Sequence, residues 1–237
     1  MGVKLTVIGC SPAWPNPGSA HSGYLVESDG KLLLDCGPGV LSRLRSSGLL
    51  AVDAIAITHF HLDHWGDLVP WAWLAAYGEG PAAKPALWLP RGGREELAAF
   101  ASRWGHPGMF DVAFEVGEYE QGTAFAAAGF AIEAHEVEHY GIRAYGFRVS
   151  DRSGRVLAYT GDSGPCAALR TLAADADLVL SEATLESGIH DASPRGHLSA
   201  EEALSLANGR VLLTHRPAEL PTPAGAERAA DGAVVEV

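Results

Sequence analysis

The chain is poor in cysteine and has no long apolar run. Cys10, Cys36 and Cys166 are its only three cysteines in 237 residues, and they are widely spaced with no Cys-x-x-Cys pair. A disulfide framework is therefore not expected, and a cytoplasmic protein with small, buried, unpaired cysteines is favoured. No segment approaches the ~20 apolar residues that cross a bilayer, and Val3–Ile8 is typical of a first strand rather than a signal peptide. We expect no membrane association.

Basic residues are also scarce. Lysine and arginine number 17 against 29 acidic residues, which gives a formal net charge of −12. A basic stripe that follows the phosphate backbone of a large nucleic acid is therefore not expected. A small phosphate ligand remains compatible, because a bound cation would dominate the local field. With 47% hydrophobic and 19% charged residues, the sequence predicts one globular domain, residues 1–237, with a sizeable core.

What the chain does have is a dense histidine cluster. The run Thr58-His59-Phe60-His61-Leu62-Asp63-His64 directly follows the apolar segment Ala54–Ile57, which is typical of a buried strand. His59 and His61 are two positions apart, so extended backbone points both rings to one side. The following turn directs Asp63 and His64 towards a neighbouring cation. Imidazole and carboxylate together are the ligand set of zinc, manganese and iron(II), and the spacing favours two ions.

Hydrophobic patterning along the rest of the chain predicts alternating hairpins and helices. The predicted strands are Val3–Ile8, Tyr24–Glu27, Lys31–Asp35, Ala54–Thr58, Pro85–Leu89, Asp111–Val116, Thr123–Ala128, Phe130–Glu136, Ala144–Ser150, Arg155–Thr160, Leu178–Ser181, Val211–Thr214 and Ala233–Val237. The predicted helices are Val40–Ser47, Leu68–Ala75, Arg94–Arg103, Cys166–Ala173 and Ser199–Leu206. This pattern favours two sheets packed face to face with helices outside, and no linker or repeat divides the chain.

Ligand-type residues recur near the ends of later predicted strands and before a helix. They are His139, Asp162, Glu182, His197 and His215. Because strand ends that meet at one edge of a sheet commonly build binding sites, we expect these side chains to join the first cluster.

The string His59-x-His61-x-Asp63-His64, followed by His139, Asp162 and His215, resembles the metallo-β-lactamase fold superfamily along essentially the whole chain. The turn Asp35-Cys36-Gly37 resembles that superfamily's first motif, in which the aspartate is a buried anchor. The ribonuclease Z-like, phosphodiesterase-like branch is the most similar. That similarity is carried by Thr160–Gly164, Ser181–Thr184 and His197–Ala200. The resemblance implies an α+β fold, a four-layer αββα sandwich of two mixed sheets with helices on the outer faces.

The resemblance also implies a ligand set for two metal ions. One ion is held by His59, His61 and His139, the other by Asp63, His64 and His215, and Asp162 bridges them. Two Zn²⁺ are the expected cofactors, although this ligand set accepts Mn²⁺ or Fe²⁺ as well.

Four further histidines compete for a role. His135 rivals His139 as a ligand, and we prefer His139 because it lies closer to the predicted strand containing Tyr145–Arg148. His21, His106 and His190 are expected to be surface or substrate-loop residues.

Two cations about 3.5–4 Å apart can share a water and lower its pKa towards neutrality, so we expect a metal-bridging hydroxide as the nucleophile. Two dications, the carboxylates of Asp63 and Asp162 and one hydroxide leave a net charge of +1, which favours an anionic ester and stabilises its transition state. His197 is the expected proton donor to the leaving alkoxide and Glu182 orients it. Asp63, His197 and Glu182 are thus the predicted catalytic residues. The alternative interpretation of His197 is a residue at the start of a helix with no catalytic role, and that of Glu182 is a plain carboxylate at the end of a strand.

The expected substrate is small. Ribonuclease Z proteins carry a long arm that grips transfer RNA, whereas the stretch from His139 to Asp162 has room only for a hairpin. We therefore predict a phosphodiesterase for a cyclic nucleotide or short oligonucleotide, with no extended nucleic-acid site. A thioester, lactone or β-lactam hydrolase is the alternative, and a non-catalytic metal-binding module is the second.

The segment after the histidine cluster is rich in tryptophan. It contains Trp65, Trp71, Trp73, Trp88 and Trp104. These rings suit a base-stacking wall, but core packing is the favoured interpretation, and a homodimer interface is also compatible.

Overall fold

The computed structural model describes residues 2–188 and 191–237, and its short apolar segments pair into two seven-stranded sheets. The first sheet has the order β14-β1-β2-β3-β4-β5-β6. Its strands are β1 Lys4–Gly9, β2 Gly23–Glu27, β3 Lys31–Leu34, β4 Ala54–Ala56, β5 Ala86–Pro90, β6 Glu115–Tyr119 and β14 Val234–Glu236. Antiparallel pairing joins β14, β1, β2 and β3, and parallel pairing joins β3 to β6.

The second sheet has the order β13-β12-β11-β10-β9-β8-β7. Its strands are β7 Ala124–Ala127, β8 Phe130–His139, β9 Ile142–Ser150, β10 Val156–Tyr159, β11 Leu178–Glu182, β12 Val211–Thr214 and β13 Glu227–Arg228. Strands β7 to β10 pair antiparallel, and β10 to β13 pair parallel. Both sheets are therefore mixed.

Seven helices occur in the described part of the chain. They are α1 Val40–Ser46, α2 Leu62–Trp65, α3 Leu68–Tyr77, α4 Gly93–Ser102, α5 Met109–Ala113, α6 Ala167–Ala173 and α7 Ala200–Leu204. The start of α7 is specified locally, because Ser199 and Glu202 form a reciprocal capping box. None of the helices among the described residues combines the length and the apolar character needed to cross a bilayer.

Three apolar clusters hold these layers together. Leu5, Tyr24 and Phe147 belong to the cluster between the two sheets. Residues of α1, α3, α4 and α5 pack with the outer face of the first sheet, and residues of α6 and α7 with that of the second. The predicted four-layer αββα sandwich is confirmed.

One predicted element is wrong. Asp111–Val116 was expected to be a strand, but α5 covers Met109–Ala113 and the strand begins at Glu115. Met109, Phe110 and Ala113 are buried, which is helical spacing, and the Phe114 ring packs 6.0 Å from that of Trp71. The six residues Asp-Val-Ala-Phe-Glu-Val form a short, mostly apolar run, and such a run does not separate a single helical turn from a strand.

The parallel strands bring their carboxyl ends to one edge of the sandwich. In the first sheet, β3 ends just before Asp35 and β4 just before the histidine cluster. In the second sheet, β11 ends at Glu182 and β12 just before His215. The candidate site lies where these ends meet.

Candidate metal centre

The residues predicted as ligands gather into two adjacent clusters. The first contains His59, His61 and His139, and the second contains Asp63, His64, Asp162 and His215. Within each cluster the ligand-type atoms lie within 4.8 Å of one another. Short helix α2 supplies Asp63 and His64, where a simple turn was expected.

The imidazole orientations of the first cluster follow from its hydrogen bonds. The Thr58 hydroxyl has one proton, which it donates to the Asp35 carboxylate, so His59 Nδ1–H donates to Thr58 Oγ1 over 3.0 Å. His139 Nδ1–H likewise donates to the Gly196 carbonyl over 2.6 Å. These bonds leave Nε2 of both rings as bare acceptors, and His139 Nε2 lies 2.9 Å from His61 Nδ1.

The same logic orients the second cluster. His64 Nδ1–H donates to Asp35 Oδ2 over 2.8 Å. His215 Nδ1 lies 2.9 Å from the Thr184 hydroxyl, which in turn lies 2.8 Å from Glu182 Oε2 and donates to it. The Nε2 atoms of His64 and His215 therefore face inwards. A histidine whose outer ring nitrogen is held by the protein is typical of metal ligands.

The distances in the second cluster fit a cation. His64 Nε2 lies 3.4 Å from Asp63 Oδ2 and 3.3 Å from Asp162 Oδ2. His215 Nε2 lies 3.2 Å and 3.5 Å from the same two oxygens. Tetrahedral bonds of about 2.0–2.2 Å put ligand atoms about 3.3–3.6 Å apart. Bare nitrogens facing carboxylates at these distances are unfavourable unless positive charge lies between them.

Three buried atoms aimed at the centre have no hydrogen-bond partner among the described residues: His59 Nε2, His64 Nε2 and Asp162 Oδ1. Unsatisfied buried polar atoms cost free energy, and three of them directed at one centre are typical of a ligand-binding site. The donor set, imidazole nitrogens with carboxylate oxygens, is one that divalent transition metals accept. The residues present therefore fit a divalent metal.

The protonation states agree with this. Burial lowers the pKa of His59, His61 and His139, which keeps these imidazoles neutral. Burial alone would raise the pKa of Asp63 and Asp162, but the neighbouring histidines, His215 and His64, lower both well below the usual range. Both carboxylates are therefore ionised.

The pKa of His64 reflects the carboxylates that surround it. Burial lowers its pKa, yet the carboxylates of Asp162 and Asp35 outweigh burial and raise the pKa well above its usual value. Asp35 is fully buried, adopts a left-handed backbone (φ 59°), and also accepts a hydrogen bond of 2.7 Å from the Tyr159 hydroxyl. It thus anchors both Thr58 and His64, as the resemblance implied.

His197 and Glu182 form a dyad next to the clusters. His197 Nδ1 lies 3.0 Å from Glu182 Oε1, and both side chains are buried. Glu182 also accepts hydrogen bonds from the backbone N–H groups of Ser163, Thr184 and Leu198, so its carboxylate is held rigidly. Burial lowers the pKa of His197, but Glu182 outweighs burial and raises it to about 9. The His197 ring stacks on His215 with centroids 5.7 Å apart.

A second layer around His197 was not foreseen from the sequence. Asp191 accepts hydrogen bonds from Gly196 N and His197 N over 2.8 and 3.2 Å, and from the Tyr140 hydroxyl over 2.9 Å. The Tyr140 ring covers Gly196 so closely that a Cβ there would lie 2.3–2.4 Å from ring atoms. Tyr140 has φ 49°, although it is not glycine. The adjacency of Tyr140 to His139 was the one sequence signal for this contact.

His135, His21 and His106 belong to neither ligand cluster. His135 is partly buried with its Nε2 3.7 Å from Glu133, apart from the two clusters. His21 lies half-buried with Nδ1 3.0 Å from the Pro12 carbonyl, and the His106 ring packs edge-on against Trp73. His190 lies outside the described residues.

The tryptophans do not form one wall. Trp65 and Trp71 are buried in the outer core of the first sheet, and Trp88 packs on the Phe125 ring at 4.6 Å between the sheets. Trp73 and Trp104 are partly exposed. The core-packing interpretation thus holds for three of the five rings.

Comparison with known proteins places this geometry in a family. A profile described as "Beta-lactamase superfamily domain" matches residues 31–215. An uncharacterized protein of Mycobacterium leprae is 34% identical over 225 residues, covering 91% of this chain and 78% of that protein. Ribonuclease Z of Mycobacterium bovis is 31% identical over 243 residues, covering 90% and 85%.

A solved structure agrees. The metallo-β-lactamase fold protein YhfI from Bacillus subtilis has a TM-score of 0.84 and 26% identity, with 100% of both chains covered. The resemblance drawn from the histidine cluster and the later motifs is confirmed. The chain therefore belongs to the metallo-β-lactamase superfamily and is a hydrolase of that fold.

Proposed function

We propose that the protein is a dinuclear, divalent-metal-dependent phosphodiesterase for a small substrate, such as a cyclic nucleotide or a short oligonucleotide. The observation that carries the proposal is the buried His197–Glu182 dyad beside two complete ligand clusters. A buried histidine that is hydrogen-bonded to a carboxylate can act as a general acid. An alkoxide leaving group needs such a proton donor. The name of the relative ribonuclease Z supports the same substrate class.

The two clusters assign the metal ligands. His59, His61 and His139 would hold one ion, Asp63, His64 and His215 the other, and Asp162 would contact both. Zn²⁺ is the expected ion, with Mn²⁺ or Fe²⁺ as acceptable replacements. Such ions lower the pKa of water towards neutrality and polarise a phosphoryl oxygen.

His197 handles the proton. Its Nδ1–H is committed to Glu182 Oε1, so the proton on Nε2 is the one that can pass to the leaving oxygen. Because Glu182 raises its pKa, the ring holds that proton at neutral pH. Once the proton has left, the dyad recovers it from solvent.

Charge selects the substrate. The ligand clusters contribute the two negative charges of Asp63 and Asp162, and imidazoles bind a metal in their neutral form. Two bound dications would therefore leave the site positive before substrate arrives. An anionic phosphodiester is attracted to such a site, whereas a neutral thioester or lactone gains less. This asymmetry favours the phosphodiesterase over the alternative hydrolase.

A substrate panel tests the proposal. The metal-loaded protein would be assayed with bis-p-nitrophenyl phosphate, a thioester, a lactone and a chromogenic cephalosporin at equal concentration. We expect the diester to have the highest kcat/KM. Faster cleavage of any of the other three would overturn the proposal in favour of that activity. No stoichiometric transition metal, together with no hydrolysis after reconstitution, would identify a non-catalytic module.

A further inference from the structure

A cavity of about 720 Å³ opens beside the metal centre and shares His61 with it. One wall is the connection from β5 to α4 together with the first turns of α4, and the other is the tip of the β8–β9 hairpin. A substrate whose scissile group lies at the ligand clusters would therefore project its remaining part into this cavity. The volume falls within the ~300–1,000 Å³ typical of small-molecule sites.

Part of the cavity lining is apolar. Phe60, Pro90, Ala99 and Ile142 line it. The Phe60 ring packs edge-on against Trp65 with centroids 6.1 Å apart, which holds it in place. Ile142 keeps 40% of its surface exposed at the hairpin tip. Exposed apolar groups around a fixed ring suit a planar, partly apolar ligand.

The rim of the cavity is polar on both sides. The side chains of Glu95 and Glu96 have no ion pair or hydrogen bond within residues 2–188 and 191–237. Arg143 donates one Nη1–H to the Arg91 carbonyl over 2.8 Å, which joins the two walls, and its other N–H groups have no partner among the described residues. The rim thus offers two carboxylate acceptors and a guanidinium donor.

The charges at the rim decide what enters. Arg91 is already paired with Glu120 over 2.9 Å, so the carboxylates of Glu95 and Glu96 face one guanidinium that is unpaired within the described part of the chain, that of Arg143. A second phosphate would lie near two carboxylates and gain nothing, whereas a neutral ring with N–H and carbonyl edges can bond both kinds of group. Of the parts of a nucleotide, only the base has that character.

We propose that this cavity is a nucleobase subsite, which binds the base of a nucleoside phosphodiester while the phosphate lies at the metal centre. The proposal rests on the proposed phosphodiesterase function and names the substrate class of the same site. Phe60 and Ile142 contact the faces of the base, and Glu95, Glu96 and Arg143 contact its edges.

The test compares two diesters that share a leaving group. Thymidine 5′-p-nitrophenyl phosphate carries a nucleoside, and methyl p-nitrophenyl phosphate does not. Since base stacking on an apolar platform is worth about a 10- to 100-fold gain, we expect kcat/KM for the thymidine ester to exceed that for the methyl ester by about that factor. Equal values would overturn the subsite while leaving the phosphodiesterase intact. No hydrolysis of either ester would overturn the phosphodiesterase instead.

Matched variants locate the preference. Ala99→Trp fills the cavity from an exposed helical position, and Ser102→Trp places the same side chain on α4 outside it. We expect Ala99→Trp to remove most of the preference for the thymidine ester through KM, and Ser102→Trp to behave as wild type. The double variant Glu95→Gln, Glu96→Gln should reduce the preference as well. A preference that survives Ala99→Trp would place the base elsewhere.

Binding gives a readout that does not depend on turnover. Thymidine 5′-monophosphate and inorganic phosphate would be titrated calorimetrically into the metal-loaded protein. We expect the nucleotide to bind about 10-fold more tightly or better, by the same stacking contribution, and to lose that advantage in Ala99→Trp. Equal affinities in the wild-type protein would contradict the subsite.

Discussion

Replacing His197 with alanine should slow the hydrolysis of some diesters far more than others. The ring is buried, its Nδ1 lies 3.0 Å from Glu182 Oε1, and its pKa is raised to about 9, so it is charged at neutral pH and has one proton to give. An alkoxide needs that proton as it leaves, whereas p-nitrophenolate leaves as a stable anion. The loss should therefore depend on the leaving group.

The magnitude follows from general acid catalysis, which contributes about 10²- to 10⁴-fold. At about 1.4 kcal/mol for each factor of ten, this corresponds to about 3–6 kcal/mol of transition-state stabilisation. We expect a loss of that size for the dinucleotide thymidylyl-thymidine in His197→Ala, and a loss below about 10-fold for bis-p-nitrophenyl phosphate, where no acid is required.

The assay follows dinucleotide cleavage by chromatography and nitrophenolate release by absorbance on the same protein samples. His106→Ala is the matched control, because His106 is exposed and packs on Trp73 away from the ligand clusters. It should leave both rates unchanged. Equal losses on the two substrates in His197→Ala, with metal content intact, would refute the proton-donor role.

Three further changes test other parts of the site. Glu182→Gln removes the charge that raises the pKa of His197. Dinucleotide hydrolysis falls at alkaline pH when His197 loses its proton, so in the variant this fall should begin at a lower pH. An unchanged pH–rate profile would contradict the effect of Glu182 on His197. Asp162→Asn should lower the metal content measured by mass spectrometry from about two ions per chain to one or none, and retention of both ions would exclude the bridging role. Gly196→Ala pushes a methyl group into the Tyr140 ring and should lower both the melting temperature and the rate of dinucleotide hydrolysis. Adding Tyr140→Ala to this variant should restore the melting temperature. If it does not, the contact with Tyr140 is not the cause of the lost stability.

Much of the site could be predicted because its signals are local. His59, His61, Asp63 and His64 lie within six positions, so backbone geometry alone places them near one another. The ends of the short buried strands could also be predicted, because apolar runs of three to five residues are bounded by polar residues. Asp111–Val116 failed because one turn of helix and a short strand share the same pattern of polar and apolar residues.

Other features depend on residues far apart in sequence. The Tyr140–Asp191–Gly196 contacts join a hairpin tip to a loop about fifty residues later, and the cavity beside His61 needs α4 and the same hairpin together. Pattern analysis sees neither, because it compares only neighbours along the chain.

The choice between His135 and His139 could not be made from the sequence alone. The sequence determined that one histidine of strand β8 completes the first cluster. The two residues, however, are four positions apart and so lie on one face of the strand. They are separated by about 13 Å along it, a distance that period-two patterning cannot resolve. Only the tertiary structure decided, because the β8–β9 register puts His139 opposite Ile142 at the hairpin tip, where the ends of both sheets meet. His135 lies a full four residues further from that edge, and no side chain spans the gap.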